Sequence, residues 1–171
     1  MVGLGQTAKP RPDPTGTWEF DRVRSLVAKS HKSPPEQIKI TFVDPELKIR
    51  RQVPINGVLE ERELTYYTDG RGETNPTTGW MTTDPDAQSI APAVTKSKTG
   101  WSREKIVTQS SERSYLGGAI FDYETVQEWR LSSDGKTLTQ TTRSVIKMPP
   151  INTPMFGNAT EFKAVYKLIS K

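Results

Sequence analysis

The chain has 171 residues, no cysteine and one histidine. That length suits one domain with a core of its own, and the composition excludes disulfides, thiolate chemistry and a histidine-rich metal site. Net charge is +4, from 24 basic and 20 acidic residues, a small excess with both signs interleaved rather than the clustered basic stripe of a nucleic-acid binder.

Hydrophobic residues make up 33% of the chain and mean hydropathy is −0.65, as in sheets with one wet face. No apolar run reaches membrane-spanning length. The start, Met1 to Gln6, lacks the basic-then-apolar order of an export signal. Two locations stay open as expectations: cytoplasmic, or exported with the signal already removed.

Residues 1–15 read as a proline-rich tail, with Pro10, Pro12 and Pro14 alternating and stiffening the backbone toward polyproline II. The domain is expected to run from 16 to 171. Gly16 to Asp21 opens it, with Trp18 and Phe20 alternating against Thr17 and Glu19, a period of two. Val23 to Ser30 fits either a short helix, with Val23, Leu26 and Val27 on one face, or an irregular loop. His31 sits beside Pro34 and Pro35 and reads as a surface residue.

Gln37 to Val43 alternates Ile38, Ile40 and Phe42 against Lys39 and Thr41, and Asp44-Pro45-Glu46 turns the chain. Leu47, Ile49 and Arg51 then share one face. An inward Arg51 is an interior charge in need of a partner; past a bulge it faces water. Glu60 to Thr68 is a further strand, turned at Asp69-Gly70, with a short return at Arg71 to Asn75. Tyr66 and Tyr67 fall on opposite faces, so orientation stays open there.

Pro76 to Pro92 has no period. A loop of that length inside a domain is most often functional or disordered, and Trp80 and Met81 are apolar enough to fold over a cavity mouth. Val94 to Trp101 and Lys105 to Ser111 read as strands. Gly117 and Gly118 form a link into the strongest local signal, two β-prone arms at Phe121–Leu131 and Lys136–Ile146 flanking Asp134-Gly135. Lys147 to Asn158 holds three prolines and two methionines among apolar neighbours and reads as a second apolar flap. A closing strand spans Thr160 to Ile169, apolar on both faces and suited to pairing with the first.

These near-sequential hairpins predict an all-β domain, an antiparallel up-and-down β-barrel of roughly eight to ten strands, because closure removes the vulnerable edges of such a sheet. A β-sandwich is the alternative.

Three stretches carry a resemblance: Gly16-Thr17-Trp18-Glu19-Phe20, Leu64 to Gly70, and Trp129 to Thr139 with its Asp134-Gly135-Lys136-Thr137-Leu138 turn. With Phe162 to Lys167 they resemble bacterial lipocalin-like (calycin-type) barrel proteins over most of residues 16–170. The resemblance implies a barrel, often exported, with no shared catalytic set. The missing export signal and the long 76–92 loop depart from it.

A barrel of this strand number can hold a small interior ligand. The expected function is therefore binding of a small, largely apolar molecule. The expected lining is Trp18, Phe20, Tyr66, Trp80, Trp101, Tyr123, Trp129 and Tyr166, whose rings give rigid contact area, with Gln127 and Gln140 as polar groups. No catalytic residue, cofactor or metal is expected. One alternative is an enzyme on the same scaffold, which needs Glu63, Glu124, Glu128 or Asp122 paired at the cavity. The other is a packed barrel that binds a protein partner or a second copy of itself.

Overall fold

The computed structural model describes residues 11–27, 34–55, 58–76, 94–116, 119–148, 153–154 and 160–171; at 53–55, 112–116, 119–121, 123, 146–148, 153–154 and 160 it describes the backbone alone. The described residues form strands and no helix: β1 Gly16–Phe20, β2 Gln37–Val43, β3 Glu46–Ile55, β4 Val58–Tyr67, β5 Glu73–Pro76, β6 Val94–Ser102, β7 Lys105–Leu116, β8 Ala119–Leu131, β9 Thr137–Met148, β10 Thr153–Pro154 and β11 Thr160–Ser170.

All pairs are antiparallel, in the order β4-β3-β2-β1-β11-β9-β8-β7-β6-β5, with β10 beside β9. Each strand therefore lies next to its neighbour in sequence, and the last main strand returns to the first. This is the up-and-down barrel that the hairpin pattern predicts, with ten strands round the wall. The sandwich alternative is excluded, because one continuous sheet makes the whole wall.

Closure at β4 and β5 is made differently from the other seams. The Asn75 side chain acts as a piece of strand: its Oδ1 accepts from the Thr65 N–H at 2.7 Å and its Nδ2 donates to the Thr65 carbonyl at 2.8 Å. Two residues along, the Tyr67 N–H donates to Glu73 Oε2 at 3.2 Å. One backbone bridge, Asp69 to Gly100, lies beyond them. The barrel is nearly closed, and side chains occupy the sites that a paired strand would fill.

Alternation decides what faces inward. Trp18, Ile38, Ile40, Leu47, Ile49 and Leu64 are buried in the core, whereas Lys39, Arg50 and Glu63 between them are exposed. On this half of the wall apolar residues face inward and charged ones outward. Trp18 is fully buried, and its indole N–H donates to the Pro14 carbonyl at 2.9 Å. Gly16, at φ +149°, lets β1 cross β11 closely: a Cβ there would lie 2.8 Å from the Ser170 carbonyl.

The long hairpin forms as expected, with β8 and β9 in unbroken register from Asp122↔Lys147 to Leu131↔Leu138. Gly135 takes φ +69° and its N–H donates to the Ser132 carbonyl at 3.0 Å, so a Ser132–Gly135 turn links the arms.

Residues 21–27 take the loop form, not the helical one. The Asp21 carboxylate accepts from the Val23 and Arg24 amides. Leu26 then exchanges two backbone hydrogen bonds with Lys163. The backbone donors that a helix would use go to Asp21 and β11 instead. Val23 and Leu26 are 95% and 70% exposed, so no apolar helical face is buried. This segment covers β11, and Val165 on its outer face is buried as a result. Residues 28–33, with His31, lie outside the described residues.

Candidate functional site

The interior has two unlike walls. One, from β1 to β4 with β11, is apolar: Trp18, Ile38, Ile40, Ile49, Leu64 and Ala164 are all buried. The other, from β5 to β9, turns polar along each strand. On β9 the inward series runs Leu138, Gln140, Thr142, Ser144, all buried. On β7 it runs Ile106 then Thr108, and on β6 Trp101 gives way to Thr99 and Ser97. Apolar residues gather at the end closed by the tight β2–β3, β6–β7 and β8–β9 turns, and polar ones toward the other.

Most of the polar wall satisfies itself. Glu73 accepts from Ser97 Oγ at 2.6 Å and Thr99 Oγ1 at 2.7 Å, besides the Tyr67 amide. Thr99 and Thr108 share a hydrogen bond at 2.8 Å, and Thr125 and Ser144 share one at 3.2 Å. Glu73 and Asn75 are the inward polar residues that closure requires.

Among the described residues, three buried side-chain polar atoms have no hydrogen-bond partner: Arg51 Nε, Trp101 Nε1 and Thr142 Oγ1. All stand at inward pleat positions. Such groups are rare in folded proteins and call for an explanation. Arg51 is the most demanding of them. It pairs with Ile38 and Arg62 across β3, so neither flanking strand offers a carboxylate at its level. Solvent still reaches part of the residue, yet Nε is shielded, and burial pulls the guanidinium below its ordinary range. The guanidinium charge acts on two phenols, Tyr66 and Tyr166. Burial pushes both upward, against the opposing pull of Arg51. They are neutral hydrogen-bond donors at any physiological pH.

The expected lining residues fall as follows. Trp18, Tyr66, Trp129, Gln140 and Tyr166 are buried on the inner face. Phe20 is half-buried against Tyr166, their ring centroids 5.7 Å apart. Trp101 is half-buried, edge-on to Phe42 at 6.0 Å, with the Arg11 guanidinium 5.5 Å from its ring centre. Gln127 shares the inner pleat of Trp129, opposite Thr142, and is half-buried. Trp80, with the whole lid expected at 76–92 beyond Pro76, and the Tyr123 side chain lie outside the described residues. So do most of the expected second flap and its Phe156. Tyr67, the other member of the tyrosine pair, points outward under the Arg71 guanidinium, 4.8 Å from its ring centre.

The carboxylates considered for catalysis sit on the outer pleat. Glu63 pairs with Arg50 at 2.5 Å, and that hydrogen bond holds its carboxyl below the usual range. Glu128 pairs with Lys105 at 2.7 Å. Glu124 is exposed and Asp122 half-buried on the same outer pleat. Among the described residues no three His, Asp or Glu side chains gather as metal ligands.

Sequence reasoning named Arg51 as a problem without placing it in the site, and passed over Glu73 and Asn75. The signal for the last two was faint: polar residues at period two in a four-residue strand look like a solvated loop. Comparison with known protein families, curated proteins and solved structures returned no match.

Proposed function

We propose that this protein binds a small, largely apolar molecule inside its barrel, in the manner of the lipocalin-like proteins its sequence resembles. The observation that carries the reading is the set of unpartnered polar atoms on the inner face, Arg51 Nε, Trp101 Nε1 and Thr142 Oγ1. A packed structural core gains nothing from them, because each unmade hydrogen bond costs free energy. A ligand site needs a few such groups set among apolar and aromatic surface. Trp18, Phe20, Tyr66, Trp101, Trp129 and Tyr166 would supply that surface, with Gln127 and Gln140 on the polar wall; Trp80 and Tyr123 belong to the same proposal. Native mass spectrometry of the protein purified from its own host tests it, alongside Nile red, an uncharged dye that brightens in apolar surroundings. A co-purifying small molecule and enhanced dye emission are expected. Repeatedly empty protein with no dye response refutes the reading.

A further inference from the structure

We propose that the free edge of β4, from Val58 to Glu63, is a docking site for an extended, basic segment of a partner protein, which joins the sheet there as one more strand. The site lies on the wall and does not depend on what the interior binds. Three observations lead to it.

First, the edge is open. The Thr65 and Tyr67 N–H groups point away from β3, toward Asn75 and Glu73. Backbone direction alternates along a strand, so the N–H and C=O groups of Glu63, Glu61 and Leu59 point the same way. The β5 side chains that stand in for a ladder reach only Thr65 and Tyr67. β4 ends the sheet order, and no described residue hydrogen-bonds to the backbone of those three positions on that side. Such a row of unpaired groups is a template for a further strand.

Second, the strand is wet on both pleats. Val58 and Leu59 are each 64% exposed, and Glu60 and Glu61 are exposed beside them. Val58 and Glu60 continue the inward series of Tyr66 and Leu64, yet nothing covers them as the core covers those two. Here β3 and β4 make a two-stranded ribbon, paired from Gln52↔Glu61 to Ile55↔Val58, and a two-stranded ribbon gains stability from a third strand.

Third, charge selects the occupant. Val58 to Glu63 holds Glu60, Glu61 and Glu63 against Arg62, a negative edge on a chain of net charge +4. Glu60 pairs with Arg62 and Glu63 with Arg50. Glu61, opposite Gln52, is in none of the ion pairs formed by the described residues. A second copy is a poor occupant. Paired antiparallel about Glu61, it sets Glu61 against Glu61. About Arg62 it sets Arg62 against Arg62 and Glu61 against Glu63, and about Glu60 it sets Glu60 against Glu60. Like charges directly opposite are destabilising. The same carboxylates that bar self-pairing favour lysine or arginine at alternate positions of an incoming strand, facing Glu61 and Glu63. Val58 and Leu59 suit an apolar residue at its end.

The test titrates two capped heptapeptides into the full chain, one alternating lysine with valine and the other glutamate with valine. Amide chemical shifts and hydrogen exchange are read by nuclear magnetic resonance. In the free protein the Leu59, Glu61 and Glu63 amides exchange fast. The lysine peptide shifts them and slows their exchange, and it binds about 10-fold tighter than the glutamate peptide, because two cross-strand charge pairs change sign. Glu61→Lys removes that preference. Glu61→Pro takes away an outward N–H without touching the β3 ladder, which an edge strand tolerates, and it abolishes the protection. Failure of the lysine peptide to bind, equal affinity for the two peptides, shifts centred elsewhere, or a preference that survives Glu61→Lys overturns the proposal. Slow exchange of the three amides in the free protein overturns it as well: if independent of protein concentration it assigns the edge to this chain's own residues, and if it grows with concentration it assigns the edge to a second copy. Far-ultraviolet circular dichroism confirms that each variant is folded.

Discussion

The closing seam gives the sharpest prediction about the fold. Asn75→Ala removes both hydrogen bonds that its amide makes to Thr65, at 2.7 and 2.8 Å. Two ordinary hydrogen bonds contribute about 2 kcal/mol together, and leaving the half-buried Thr65 amide and carbonyl without partners raises the cost to about 3 kcal/mol. For a chain of this size each kcal/mol moves the melting temperature by ~2–4 °C, so a drop of ~6–12 °C is expected. Hydrogen exchange adds a local readout, because the Thr65 amide should lose protection while β8 and β9 amides keep theirs. Asn75→Asp gives a control with a distinct sign. It keeps the acceptor for the Thr65 N–H but turns a carboxylate toward the Thr65 carbonyl. That geometry raises its folded pKa above the unfolded value. The variant is then least destabilised below about pH 4, where the protonated carboxyl donates as the amide did, and loses that stability as pH rises through its folded pKa. If Asn75→Ala melts within ~2 °C of the wild type and Thr65 exchanges no faster, strand mimicry by Asn75 does not hold the barrel shut.

Three further outcomes follow from other parts of the wall. Trp18→Ala empties the most buried large side chain and frees the Pro14 carbonyl; a loss of about 3–5 kcal/mol is expected in urea unfolding, and a loss below about 1 kcal/mol would show that the core does not depend on it. The hydrogen bond from Arg24, aided by Lys167 and opposed by burial, holds Asp21 at about 2 against an ordinary 3.8. A depressed carboxylate adds stability above its unfolded pKa and loses it as pH falls, so the urea midpoint should drop between 3.8 and about 2. Asp21→Asn should flatten that limb, and an unchanged pH profile in the variant would assign acid loss to other groups. Arg51→Met should raise the stability of the ligand-free protein by about 1–3 kcal/mol, since it replaces an unpaired buried charge with a packed side chain. A clear loss in thermal melting would mean that the guanidinium has a structural partner.

Much of the fold was legible because pleat alternation and turn chemistry are local. Ile38, Ile40 and Phe42 announced β2, and Asp134-Gly135 announced the turn whose glycine takes φ +69°. The return of Thr160–Ile169 to β1 was legible from its two apolar faces; on the second, Val165 is buried because residues 21–27 lie across it and Ser25 Oγ accepts from the Val165 N–H, while Ile169 stays exposed. The site was harder to read. Alternation shows that Gln140 and Thr142 share a face with Leu138, but a polar inner face and a polar outer face have the same period. Their burial, 8% and 4% exposed, depends on β11 and β8 at their sides, which are contacts distant in sequence. Glu73 and Asn75 were invisible for the same reason: their partners Thr65, Tyr67, Ser97 and Thr99 lie on other strands.

The polar interior sorts into two groups with different physical origins. Glu73, Asn75, Thr99, Thr108, Thr125 and Ser144 are satisfied within the barrel. Glu73 and Asn75 replace the ladder that β4 and β5 do not form, the others bond to Glu73 or to one another, and stability alone accounts for all six. Arg51, Thr142 and Trp101 keep buried atoms that no described residue satisfies, and stability alone argues against them. A phenylalanine serves at 101, a valine at 142 and a methionine at 51, each removing a desolvation cost at little change in volume. The two groups face the same interior on adjacent strands, so a general tolerance for polar residues in this barrel does not separate them. What separates them is that the second group presents donors toward the interior and receives nothing from the protein in return. On the binding proposal, a bound molecule with acceptor oxygens and an apolar body would supply that return.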